Sequence, residues 1–196
     1  MRRLLLVRHA PTPATRAFVF PADEPLDERG REAATALRVG LPSGFEVVCS
    51  PAVRCQQTAE AAGLTSLALE PQIIECDFGT WAGRTPEEIS TSEAAGMASW
   101  MTDPSARPHG GESLTAFGAR VGAWLDRQAM QGGSAVAITH GGVVKAAVVH
   151  ALSAPIEAFW RIDATPLAVT ELHAHEGRWT LTRVNAATPA KIGVSA

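Results

Sequence analysis

Apolar residues fall in two kinds of run along this chain. Residues 4–7 and 135–138 form short, unbroken apolar stretches, and 45–49 a largely apolar one, bounded by polar or turn-forming residues, the pattern of strands covered on both faces in a parallel sheet. Elsewhere the apolar positions recur at helical spacing. Leu114, Phe117, Val121 and Trp124-Leu125 make one long stripe, with Glu112 or Ser113 placed to cap it. Ala33, Ala36, Leu37 and Leu41 make a weaker stripe, opened by Asp27-Glu28-Arg29 and stopped by Pro42-Ser43-Gly44. Residues 143–152 read as an apolar helix, 87–101 as a further helix and 67–69 as a short strand, while 167–172 and 179–184 around Glu176-Gly177 predict a closing hairpin. The segments 11–25, 75–83 and 103–111, rich in proline or glycine, read as loops. Strands alternating with helices predict an α/β fold built on a parallel sheet.

With 196 residues, 46% of them apolar, the chain is predicted to fold as a single domain over 1–196, its tail from about 187 loosely held. A net charge of −3 and the lack of any basic run argue against nucleic acid as a partner. Cys49, Cys55 and Cys76 form neither an even disulfide framework nor a C-x-x-C pair, which points to a reducing interior. The four apolar residues after Met1-Arg2-Arg3 are too few for a secretory signal, and no stretch approaches a membrane span. A cytoplasmic location is expected, with no membrane partner. A homo-oligomer is compatible with the sequence.

Composition says little about chemistry; the strand ends say more. The first strand runs straight into Arg8-His9, and the strand at 135–138 runs into Thr139-His140-Gly141-Gly142. Ser50-Pro51 follows the second strand as a helix cap with proline at the first helical position, which sets Arg54 about one turn into that helix. Ligands of open α/β sheets bind beyond the carboxyl ends of the strands. A neutral imidazole can act as a nucleophile, and a guanidinium presents a fork of donors matched to phosphate oxygens. These features together suggest phosphoryl transfer onto His9.

Arg8-His9, Ser50-Pro51…Arg54, Glu75-x-x-Phe78-Gly79-x-Trp81-x-Gly83, Gly110-Gly111-Glu112-Ser113 and His140-Gly141, in this order, resemble the histidine phosphatase superfamily, over residues 4 to about 185. The resemblance implies the phosphoglycerate mutase-like fold, a three-layer α/β/α sandwich with a mostly parallel sheet. It also implies a metal-independent phosphomonoesterase acting on a small phosphorylated metabolite without a cofactor. His9 would be the nucleophile and Glu75 the proton donor, with Asp77 and Glu112 as rival acids. Arg8, Arg54 and His140 would surround the phosphoryl oxygens, with Gly141 at the adjacent helix start. The chain departs from the family where Ala10-Pro11-Thr12 replaces Gly-Glu-Thr, where Thr15 stands at the asparagine position as a substitute contact, and where Trp81-Ala82-Gly83 replaces Trp-Glu-Gly.

Two other functions are open to the sequence. A phosphoglycerate mutase would return the phosphoryl group to a second hydroxyl, but needs extra basic residues and a closing lid, of which there is no obvious insertion. A non-catalytic phospho-ligand-binding domain would have no need of a nucleophile. His109 reads equally as a pocket residue or a solvated loop histidine. His173-x-His175 lacks an evident third ligand, so no metal site is expected.

Overall fold

The computed structural model describes residues 1–37, 41 and 44–187. Six strands, β1 (Arg2–Arg8), β2 (Glu46–Cys49), β3 (Ala68–Leu69), β4 (Gly133–Thr139), β5 (Val169–His175) and β6 (Arg178–Ala186), form one sheet in the order β3-β2-β4-β1-β5-β6. The first four of these are parallel; β5 runs antiparallel to β1, and β6 antiparallel to β5.

The unbroken apolar runs have a simple cause. Successive strand residues point to opposite faces. Leu4 and Leu6, with Ala135 and Ala137, meet one apolar cluster, and Leu5 and Val7, with Val136 and Ile138, meet another. Helices α3 (Val53–Ala61), α6 (Leu114–Ala129) and α7 (Gly141–Ala151) supply most of what covers them. Phe117, Val121 and Trp124 of α6 and Val143 and Ala147 of α7 lie on the first face, and Cys55 and Ala59 of α3 on the second. The result is the expected three-layer α/β/α arrangement with a mostly parallel sheet.

Several boundaries differ from the sequence reading. Asp27 does cap α2 (Glu28–Thr35), accepting from the Gly30 N–H at 2.9 Å, but that helix ends before Leu37 and Leu41. Residues 42 and 43 of the predicted stop, and the tail beyond 187, lie outside the described residues. The 11–25 segment is not all loop: Thr12 caps a short helix, α1 (Pro13–Arg16). The predicted helix at 87–101 is two, α4 (Pro86–Ser92) and α5 (Ala94–Thr102), broken at Glu93, whose carboxylate is held by Trp81 Nε1 and Arg84. The hairpin forms as expected. Glu176 and Gly177 both have positive φ, the conformation that a tight two-residue connection demands. Among the described residues no helix is long and apolar enough to cross a membrane.

Candidate active site

The strand order brings the chemistry together. Because β2, β4 and β1 are neighbours and parallel, their carboxyl ends share one edge, and the register pairs Arg8 with Thr139 and Cys49 with Ile138. The residues that follow therefore stand side by side. The His9 N–H donates to the Thr139 carbonyl at 2.8 Å, and the Ser50 N–H to the Ile138 carbonyl at 2.9 Å. The imidazoles of His9 and His140 meet edge to face, with centroids 5.3 Å apart.

Arg54, in the first turn of α3, is buried and bridges both imidazoles. Its Nε donates to His9 Nε2 at 3.2 Å, its Nη2 to His140 Nδ1 at 3.1 Å, and its Nη1 to the Ala22 carbonyl at 2.6 Å. A guanidinium only donates, so both ring nitrogens it touches are unprotonated. His9 Nδ1 accordingly carries the proton and donates it to its neighbour Ala10's carbonyl at 2.7 Å. His140 has the opposite tautomer, with Nε2–H donating to Ser50 Oγ at 2.8 Å. Burial, and then the charge of Arg54, pull the His9 imidazole down to about 3, and hold His140 well below the usual histidine range for the same two reasons. Both rings are neutral near pH 7, and His9 offers its Nε2 lone pair to the cluster.

Arg8 approaches from the β1 side. Its Nη1 donates to the Ala164 carbonyl at 2.6 Å, while its Nε is buried without a hydrogen-bond partner. A Cβ at Gly141 would sit 3.3 Å from that nitrogen, so a glycine lets Arg8 lie close against the start of α7. Glu75 closes the opposite side. Its two oxygens accept from the Gly142 N–H at 3.1 Å and the Cys76 N–H at 3.0 Å. The first is an exposed donor of a helix N-terminus, where a carboxylate is favoured.

The other candidate acids are engaged elsewhere. Glu112 is gripped at both oxygens by Arg120, at 2.9 and 2.7 Å, and Asp77 accepts from the Gly79 N–H. All three carboxylates line one hollow of about 540 Å³ beside Arg54, but only Glu75 also lines a second, of about 240 Å³, that contains Arg8 and Gly141.

The structure thus gathers Arg8, His9, Arg54, Glu75, His140 and Gly141, and it does not gather Thr15. The Thr15 hydroxyl donates to the Thr12 carbonyl and accepts from the Thr12 N–H, completing the cap of α1, so the expected substitute contact is corrected. Ser50 is corrected too. The helix begins at Val53, two residues beyond the proline, and the serine hydroxyl serves His140. His109 is buried rather than solvated. It packs against Trp100 and Trp81 at 4.7 and 5.0 Å, and its Nδ1 accepts from the Gly111 N–H. Thr58, which accepts from the Ala10 N–H at 3.0 Å and so fixes the strand end behind His9, left no signal in the sequence. Lys145 left one, a lone cation on an otherwise apolar helix, three residues after Gly142. Among the described residues no cluster of histidine, cysteine and carboxylate side chains is arranged to hold a metal ion.

The chain is similar to known proteins over nearly all of its length. The family model for the histidine phosphatase superfamily (branch 1) matches residues 4–187. Phosphoserine phosphatase 1 of Hydrogenobacter thermophilus is 29% identical over 196 residues, covering 94% of this chain and 92% of that protein. The alpha-ribazole phosphatase of Shigella flexneri superimposes with a TM-score of 0.84 at 26% identity, over 99% of this chain and all of its own. The mycobacterial glucosyl-3-phosphoglycerate phosphatase Rv2419c, solved with VO3, gives 0.84 at 25% identity, over 95% of this chain and all of its own. With a family match over nearly its whole length and the two imidazoles and two guanidiniums gathered at one sheet edge, this chain belongs to the histidine phosphatase superfamily, branch 1.

Proposed function

We propose that this protein is a single-domain, metal-independent phosphomonoesterase that hydrolyses a small phosphorylated metabolite in the cytoplasm through a phosphohistidine on His9. The observation that carries it is the hydrogen-bond set of His9. With Nδ1–H committed to the Ala10 carbonyl, the Nε2 lone pair faces the cations. A phosphoryl dianion is a stronger acceptor than an imidazole, so it takes over the 3.2 Å contact from Arg54 and frees that lone pair to attack.

In the first step His9 Nε2 forms a bond to phosphorus as the ester oxygen leaves. Glu75, protonated, gives its proton to the departing alkoxide. In the second step water attacks phosphorus and passes a proton to the Glu75 carboxylate, and the N–P bond breaks to restore His9 and release phosphate. Arg8 and Arg54 hold the equatorial oxygens and supply the positive charge that phosphoryl transfer requires, with the His140 ring, anchored on Ser50, lying against Arg54 beside them. The named relatives act on three different phosphate esters, which favours a shared hydrolytic centre with variable surroundings. The three buried free thiols fit a reducing compartment.

The test is hydrolysis of p-nitrophenyl phosphate in EDTA, with rapid acid-free quenching to capture the intermediate. Turnover should persist, and an alkali-stable, acid-labile phosphoenzyme should form that His9→Ala cannot make. Efficient conversion of 3-phosphoglycerate with a bisphosphate primer and negligible hydrolysis would replace this reading with the mutase one.

A further inference from the structure

The hollow of about 240 Å³ shares its wall with the reacting centre through Arg8, Glu75 and Gly142, and the rest of its lining differs in character from the cation cluster. Phe20, Phe78, Trp100, Phe159 and Trp160 present ring surface to it. Most of these rings also hold one another in edge or tilted contact. Phe20 and Phe78 lie 4.9 Å apart, Trp100 and Trp160 6.2 Å, and Phe159 and Trp160 5.2 Å. A slot walled by pre-oriented rings accepts a flat body by stacking or edge contact with little ordering cost.

One group on the wall lacks a polar partner. Lys145, one of only two lysines in the chain, is half-buried on α7 and stands over the Phe159 ring at 5.3 Å, and among the described residues its ammonium makes no hydrogen bond or ion pair. The nearby Asp163 is better served. It accepts from the Ala164 N–H at 2.8 Å and faces Asn185 Nδ2 at 3.5 Å. Burial pulls the Lys145 ammonium below its ordinary value, with Asp163 and Glu75 pulling it back, so a ligand anion would relieve a real deficit.

We propose that this hollow is the leaving-group subsite, that it selects phosphate esters whose alcohol carries a flat ring bearing a carboxylate or comparable anion, and that Lys145 is the specificity-determining residue. The inference rests on the phosphatase reading and goes beyond it in naming the substrate class. The ester oxygen leaves toward Glu75, the ring lies among the aromatic side chains, and the anionic substituent reaches Lys145.

Four primary-alcohol esters of similar intrinsic reactivity separate the effects: ethyl phosphate, benzyl phosphate and the 3- and 4-carboxybenzyl phosphates. The kcat/KM of the wild type should rise about tenfold from ethyl to benzyl, and about tenfold again to the better carboxybenzyl ester. Lys145→Gln should cut the carboxybenzyl-to-benzyl ratio by about tenfold, mainly through KM, and Lys145→Arg should retain it. Trp160→Ala should lower the benzyl-to-ethyl ratio. A wild-type carboxybenzyl-to-benzyl ratio near one, or a Lys145→Gln variant that slows all the esters in proportion, overturns the proposal while benzyl phosphate hydrolysis still upholds the phosphatase. Failure to hydrolyse any of the esters removes both.

Discussion

Arg54 fixes the protonation of both histidines it touches, and this makes the centre testable one atom at a time. Replacing His9 with alanine removes the lone pair but leaves Arg8, Arg54 and His140. Hydrolysis should fall by about 10³-fold or more while vanadate still binds, measured by inhibition of residual turnover or by calorimetry. Ser50→Ala should act more gently. It takes away the acceptor that holds His140 in the Nε2–H tautomer, and losing a hydrogen bond that orients a site imidazole costs about 10- to 100-fold. Glu75→Gln should separate substrates by leaving group. An alkyl ester needs a proton at its oxygen, so its hydrolysis should drop by about 10²- to 10⁴-fold, whereas p-nitrophenyl phosphate, whose phenolate leaves unaided, should lose far less in its first step. Glu112→Gln, which loosens Arg120 and the Asp77 N–H contact, should show no such split. An equal loss on both esters for Glu75→Gln would take the proton-donor role away from that residue.

The elements were readable in the sequence to different depths, for physical reasons. Residues 4–7 and 135–138 announced strands because covering a sheet on both faces leaves no room for polar alternation. The adjacency β2-β4-β1 was not readable, since it joins segments about 90 and about 130 residues apart through contacts that leave no local pattern. That adjacency is what places Ser50 beside His140, so a hydroxyl that looked like a helix cap turned out to serve the site. The break at Glu93 was hidden for the same reason, because Trp81 and Arg84 hold that carboxylate from outside the helix. His109 likewise reads as well as a solvated loop histidine as a pocket residue, because the rings that enclose it come from elsewhere, Phe78 and Trp81 from one loop and Trp100 from a separate helix. Glycines at the start of α7 were legible, and the structure adds their reason. A Cβ at Gly142 would lie 2.2 Å from Glu75 Oε1. Gly142→Ala should still fold, with a modest drop in melting temperature because the new methyl also meets the buried Phe117 ring at 3.2 Å. Its alkyl-ester turnover should nevertheless fall by about tenfold or more as Glu75 is pushed off its N–H contact. Unchanged turnover would mean that the carboxylate acts from another position.

At the scale of the whole molecule, holding two neutral imidazoles inside the fold links stability to pH. In the unfolded chain a histidine titrates near 6.5. Folded, His9 titrates at about 3, and His140 well below its usual range. Between these limits the unfolded chain binds more protons than the native one, so stability rises with pH through that window and is fully present only above about 6.5. At pH 5.5 the two buried rings together cost on the order of 3 kcal/mol relative to neutral pH. For a chain of this size that lowers the melting temperature by something on the order of 10 °C. Carboxylates held below their ordinary range, such as Glu171 beside Arg3 and His173, add their losses only at lower pH. The interval from pH 7 to 5.5 therefore isolates the histidines. Thermal melts across it should show a steep decline for the wild type and a clearly shallower one for His9→Gln, whose amide does not titrate, with His140 and the buried His109, also held below its ordinary value by burial, supplying what remains. Superimposable slopes would mean that His9 is protonated in the native state, and the lone pair on which phosphoryl transfer depends would be lost with it.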